Sequence, residues 1–186
     1  MGINLQKGQR IAVGLQKVVV GLGWDPNEGA SKFSFDLDAT AAMLGVNGKV
    51  PDEKFFVFYN NQISKDGALQ VSEDDTTGGK SDGDDDETID VDLSKASPLI
   101  SSIVFSASIH EFEVRKQNFG QVQNSYIRIC NAANGEELCK FELSEDFSTE
   151  SAIEFGRLYL KDGAWKFEAT GVGHKNGLQS IVDKYL

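Results

Sequence analysis

The 186-residue chain is 40% hydrophobic with only three prolines, which suits one domain with a substantial core, and 25% charged residues is too ordinary a share to make disorder the default. Its formal charge of −11 is strongly acidic. This excludes DNA and RNA as partners, because phosphate contacts need Lys and Arg, and it would repel an anionic membrane surface.

The opening MGINLQKGQR has no apolar run of signal-peptide length, and Gln6 stands where a myristoylation motif wants Ser or Thr. No stretch reaches membrane-span length, so a cytoplasmic protein without direct membrane insertion is expected. KVVVGLGW is a β-branched run closed by a Gly-rich turn, and Asp25 sits in the Gly-Trp-Asp-Pro turn that follows. KFSFDLDA alternates with period two, which puts Phe33, Phe35, Leu37 and Ala39 on one face and Ser34, Asp36 and Asp38 on the other. EKFFVFYNN is aromatic and β-branched and ends at Asn60 and Asn61. ETIDVDL and SSIVFSASI read as two more strands, and HEFEVRKQNF as about two helical turns.

Four strands follow: NSYIRIC, EELCKFEL, AIEFGRLYL and AWKFEATG. Asn134-Gly135 and Asp162-Gly163 are hairpin signals within the two pairs. NGLQSIVDKYL closes the chain as an amphipathic helix started at Asn176. About ten short strands with one or two short helices predict an all-β fold, an antiparallel β-sandwich of two sheets, as a single domain over residues 1–186. Phe33, Phe35, Leu37, Phe56, Phe58, Val104 and Phe105 are expected mostly in the inter-sheet core, with one member of each adjacent aromatic pair under a helix. Two cysteines make no disulfide framework, and reduced thiols are expected. A two-residue turn at Asn134-Gly135 would set Cys130 opposite Cys139, whereas a register change of one residue would put them on opposite faces.

Enzyme signatures are absent. His110 and His174 are the only histidines, and HEFEV has Val114 where a zincin needs its second His. Gly79-Lys80-Ser81 mimics the end of a phosphate-binding loop, but Asp74 replaces the first glycine. Gly21-Leu22-Gly23 fails the dinucleotide pattern at Pro26, and no nucleophile elbow occurs. A non-enzymatic protein is expected.

The acidity is local. Ser72 to Asp92 holds ten Asp or Glu against one Lys, a net of −9 that leaves −2 for everything else. Such a run is either a solvated loop or a cation site. Ca²⁺ takes six to eight oxygens in flexible geometry, which carboxylates, Asn and backbone carbonyls at one end of a sandwich could supply. The run is not an EF-hand. Asp82, Asp84 and Asp86 imitate its start, but Glu87 replaces the glycine and Leu93 the bidentate Glu. Deleting the charges of Asp36 and Asp38 together is expected to relieve repulsion in the metal-free protein.

The stretches INLQKGQRI, GLGWD, FDLDA, FYNN, SKDG, GDDDE, IHE, QNFGQV, NSYIRI, GEEL, FELSEDFSTE, EFGRLY and WKF resemble, in order and over nearly the whole chain, the TerD-like family of bacterial tellurium-resistance and stress-response proteins. The resemblance implies a two-sheet β-sandwich that binds calcium, more than one ion, through acidic residues at one end. The matching positions are Asp25, Asp36, Asp38, Asn60, Asp82, Asp84, Asp85 and Glu87. Asp74-Asp75-Thr76 departs from the family's Gly-Asp-Asn, so the loop before Gly78 lacks that pattern. The implied role is a calcium-binding, non-enzymatic interaction module with a protein partner. Two alternatives stand beside it: a metal-assisted hydrolase at the same carboxylates, or a cyclic-nucleotide module using Arg115, Arg128 or Lys116 away from the acidic end.

Overall fold

The computed structural model describes residues 2–26, 32–71, 85–143 and 147–186. Twelve strands form two six-stranded sheets: β1 (Ile3–Asn4), β2 (Arg10–Ala12), β3 (Lys17–Gly23), β4 (Leu37–Leu44), β5 (Phe56–Val57), β6 (Leu69–Val71), β7 (Glu87–Asp92), β8 (Ser102–Ile109), β9 (Tyr126–Asn131), β10 (Glu137–Glu142), β11 (Ala152–Lys161) and β12 (Ala164–His174). Two helices complete the fold, α1 (Phe112–Arg115) and α2 (Gly177–Tyr185). One sheet runs β1-β10-β9-β3-β7-β6 and the other β2-β12-β11-β8-β4-β5. Every pairing is antiparallel except β1 with β10. The expected sandwich is therefore present.

Alternation builds the core. Val18, Val20 and Leu22 of β3, Ile89 and Val91 of β7, and Ile127 and Ile129 of β9 meet Leu37, Ala39, Ala41 and Met43 of β4 and Phe105 of β8 between the sheets. A second apolar layer lies outside the other sheet, where α2 lays Ile181 and Tyr185 over Ala42, Leu44, Phe56, Val104 and Ala152. Of the residues expected in the inter-sheet core, Phe35, Leu37 and Phe105 lie there, whereas Phe56 and Val104 face α2 instead, with Phe58 packed against that layer.

Several expectations need correction. The strand read over KFSFDLDA begins only at Leu37, and Phe33 is exposed. Residues ahead of β4 are held by side chains instead: Gln117 Nε2 donates to the carbonyls of Phe33 and Ser34 at 3.1 and 3.2 Å. EKFF starts as a 3-10 turn over Glu53–Phe55, because Asp52 accepts the Lys54 amide at 3.0 Å and caps it. The helix α1 makes one turn, ended by Lys116 at φ 53, where the backbone turns left-handed. The strands β1, β2 and β6 have two or three residues each, too few for a visible alternation.

Asp162 and Gly163 both have positive φ and join Lys161 to Ala164 in a two-residue hairpin. The Asn134-Gly135 turn is wider, closed by Asn131 N–H on the Glu136 carbonyl at 2.8 Å, and a bulge follows between Glu137 and Cys139. Cys139 thus pairs with Ile129 and points into the core, while Cys130 pairs with Glu137 and lies outside the core cluster. Both thiols are free, as expected.

Candidate metal centre

Four stretches of chain end at the same edge of the sandwich. The β3 strand delivers Trp24 and Asp25, Asp36 and Asp38 flank Leu37 at the start of β4, the turn after β5 carries Asn60, and β7 is entered through Asp85, Asp86 and Glu87. Leu22 pairs with Glu87, which brings the end of β3 beside the start of β7. Glu87 shares its strand face with Ile89 and Val91, so its carboxylate points between the sheets. There Oε2 accepts the Ala39 N–H of the opposite sheet at 2.5 Å. The strand β5 pairs only with Ala41 and Ala42, so the Ala39 amide lies beyond its end and needs this acceptor.

Asp36, just ahead of β4, and Asp38 within it lie outside the inter-sheet core cluster, both more than nine-tenths buried. Arg115 Nη1 donates to Asp36 Oδ2 at 3.1 Å and its Nη2 reaches Glu111 at 3.4 Å. His110 Nδ1 lies 3.5 Å from Asp38 Oδ2, and the His110 amide donates to the Asp36 carbonyl at 2.8 Å. Asp25 accepts from Asn124 Nδ2 at 2.6 Å, and Asp86 accepts the Trp24 amide at 2.8 Å.

Asp85 lies flat over β3. A Cβ on Gly21 would sit 2.0 Å from Asp85 Oδ2, so only glycine admits this approach. Asp85 Oδ1 accepts from Arg128 Nε at 2.7 Å and from the Tyr126 hydroxyl at 3.1 Å. Burial, with the neighbouring Asp85 charge, pushes the Tyr126 hydroxyl well above its ordinary range, so it stays a donor. The Tyr126 ring in turn covers Gly23, where a Cβ would lie 2.3 Å from it. Burial opposes the charge on Arg128, but Asp85 outweighs that and holds it protonated.

Asn60 is exposed, and its neighbour Asn61 does the structural bonding, donating from Nδ2 to the Phe56 carbonyl at 2.7 Å. Asp82 and Asp84 lie outside the described residues. Among the described residues, no three His, Cys, Asp or Glu side chains come close enough to share a metal ion. The fold brings the segments together, and Asp25, Asp36, Asp85, Asp86 and Glu87 each already accept a hydrogen bond from the protein. Arg115 and Arg128 were expected away from the acidic end. They are its counterions instead, paired with Asp36 and Asp85. No sequence signal could pair them with Asp36 and Asp85, which lie 79 and 43 residues away.

Comparison with known proteins agrees with the architecture. The TerD domain family matches residues 1–185. "General stress protein 16U" of Bacillus subtilis is 44% identical, the alignment covering 100% of this chain and 97% of that protein. "Tellurium resistance protein TerD" of an Alcaligenes species is 40% identical, with the same coverage of 100% and 97%. A crystal structure of a homologue of telluride resistance protein (TerD) from Streptomyces coelicolor superposes with a TM-score of 0.73 at 22% identity, covering 92% of this chain and 96% of that one. At that identity the likeness concerns the fold. Among the described residues, no helix is long and apolar enough to cross a membrane.

Proposed function

The chain belongs to the TerD family of tellurium-resistance and stress-response proteins, and from that premise we propose that it is a calcium-binding, non-enzymatic module whose metal-ordered end engages another protein. One observation carries the reading: four segments far apart in sequence deliver oxygen donors to a single edge of the sandwich, next to the start of the most acidic stretch of the chain. The donors there are oxygens, with no cysteine among them, and that chemistry suits a hard cation. Asp36, Asp38, Asp25, Asn60, Asp85 and Glu87 are the described candidates. They do not gather into a coordination shell by themselves, so Asp82 and Asp84 are required to complete it.

A bound ion would neutralise carboxylates that otherwise repel one another, and it would tie the loops into one surface. Asp85 and Glu87 have a second duty in this reading. Held by Arg128 and Ala39, they fix the end of the acidic segment to both sheets whether or not the metal is bound.

The test is thermal unfolding with millimolar CaCl₂, MgCl₂, or NaCl at matched ionic strength. A ligand bound only by the folded state adds about 2.7 kcal/mol at a hundredfold excess over Kd. Calcium is expected to raise Tm by several degrees, magnesium by much less. A calcium effect no larger than that of NaCl refutes the reading.

A further inference from the structure

The helix α2 is attached to the fold differently from the strands. Among the described residues, none of α2 enters the core between the sheets. Its Ile181 and Tyr185 close a separate apolar layer on Ala42, Leu44, Phe56, Val104 and Ala152, all from one sheet. Lifting the helix away would therefore leave the inter-sheet core intact. A helix of nine residues is marginal in isolation, so docking is what keeps α2 folded.

The two ends of α2 are held unequally. Asn176 makes no side-chain cap, Gly177 turns left-handed at φ 54, and Leu178 and Gln179 border a cavity of about 280 Å³. Only Lys175 and Asn176 separate β12 from α2, and Ser151 Oγ pins this connection, accepting the Gly177 amide at 2.8 Å and donating to the Lys175 carbonyl at 2.7 Å. The last turn is latched. Lys184 Nζ and the Tyr185 hydroxyl donate to Glu154 at 2.8 and 3.0 Å, and the Tyr185 carbonyl accepts the Val50 amide at 2.9 Å. A second observation concerns the sheet. By alternation Thr40 and Ser106 lie on the same face as Ala42 and Val104, and Ser106 is the cross-strand partner of both Thr40 and Glu154. Each is 1% exposed, and neither hydroxyl meets a protein partner. Closing this layer leaves two polar groups unpaired, which opposes closure.

We propose that α2 is a releasable strap and that the face it uncovers takes the α2 of a second copy, giving a dimer by reciprocal exchange of this helix. The occupant is a second copy because the face is complementary to this helix in particular. A second chain brings the same Ile181 and Tyr185 to the apolar layer, the same Lys184 and Tyr185 donors to Glu154, and the same Tyr185 carbonyl to Val50, so every latch bond is remade between chains. A two-residue connection favours that exchange, since short hinges invite it. Neither the strap nor its face contains a calcium candidate, so exchange is expected equally in calcium and in EDTA, and it stands if the calcium reading fails.

The experiment reads the full chain in three ways, each in calcium and in EDTA. Amide hydrogen exchange of the parent should show the α2 amides opening together, about tenfold or more faster than those of β8 and β11. Ile181→Asp should keep the near-ultraviolet signal of Trp24 and Trp165 while α2 loses its protection. A fluorescein-labelled peptide of residues 174–186 should bind that variant about tenfold or more tighter than the parent, whose own helix competes for the face. Concentrated parent, held in urea below its unfolding midpoint and returned to buffer, should contain a dimer by light scattering. Ile181→Asp, treated identically, should remain monomeric. The proposal is overturned if α2 exchanges no faster than β8 and β11, or if Ile181→Asp loses the near-ultraviolet signal, since α2 would then be integral to the sandwich. It is equally overturned if the peptide binds the variant no better than the parent, if the parent stays monomeric, or if Ile181→Asp dimerises as the parent does.

Discussion

Asp36→Asn separates two opposite expectations. Charge counting along the strand predicts that removing a carboxylate near Asp38 relieves repulsion and stabilises the metal-free protein. The structure reverses the sign, because Arg115 donates to Asp36 at 3.1 Å with side chains only 17% and 9% exposed. Breaking a buried pair costs about 3–5 kcal/mol, whereas an exposed pair contributes about 0–1 kcal/mol. This pair lies near the buried limit, but Arg115 keeps Glu111 as a second partner at 3.4 Å. The loss should therefore be about 2 kcal/mol, or about 4–8 °C in Tm for a chain of this size. Urea unfolding in EDTA of the parent, Asp36→Asn, Arg115→Met and the double variant measures the pair directly. A coupling energy of at least about 1 kcal/mol is expected, since the two residues touch. If Asp36→Asn is more stable than the parent in EDTA, repulsion outweighs the Arg115 pair and the reasoning fails.

Phe35 is buried in the inter-sheet core, so Phe35→Ala should cost about 3–5 kcal/mol in urea unfolding; a loss below about 1 kcal/mol would place it outside the core. Burial pushes the Cys139 thiol up to about 12 and also raises that of Cys130. Both thiols should thus react slowly with a disulfide reagent at pH 8 in the native protein and promptly once unfolded; a fast native reaction would contradict the packing. Glu154 receives His174 at 2.9 Å, Lys184 at 2.8 Å and the Tyr185 hydroxyl at 3.0 Å, fastening α2 to the sheet. Burial alone would raise its carboxyl, but these partners outweigh it and hold it below the ordinary 4.5. A depressed carboxyl contributes stability that is present above its unfolded value and lost as pH falls through the folded one. Exchange protection of α2 should therefore drop below about pH 4.5 in the parent, and Glu154→Gln should abolish that acid step. An unchanged acid profile in the variant would exclude Glu154 as the fastening group.

The long strands, the Asp162-Gly163 hairpin, the closing helix and the local concentration of acid were all legible in the sequence. Each is written in the chain within a few residues, by a period of two, by turn chemistry, or by composition. Local pattern could not say where a strand begins. Phe33 and Phe35 alternate as a strand would, yet both precede β4, and Gln117, more than eighty residues on, holds the backbone at Phe33 and Ser34 instead. Nor could it say which face Cys130 takes, since one bulge between Glu137 and Cys139 sets the parity of the pairing. The eight acidic and amide positions were visible as residue types, but not their partners. Arg115 for Asp36, Arg128 and Tyr126 for Asp85, and the Ala39 amide for Glu87 are fixed by sheet register and by the face each strand turns outward. Residue types and periodicity are properties of a short window of chain. The company a buried charge keeps depends on how distant windows pack, because desolvation makes it take whatever donor the tertiary fold brings within reach.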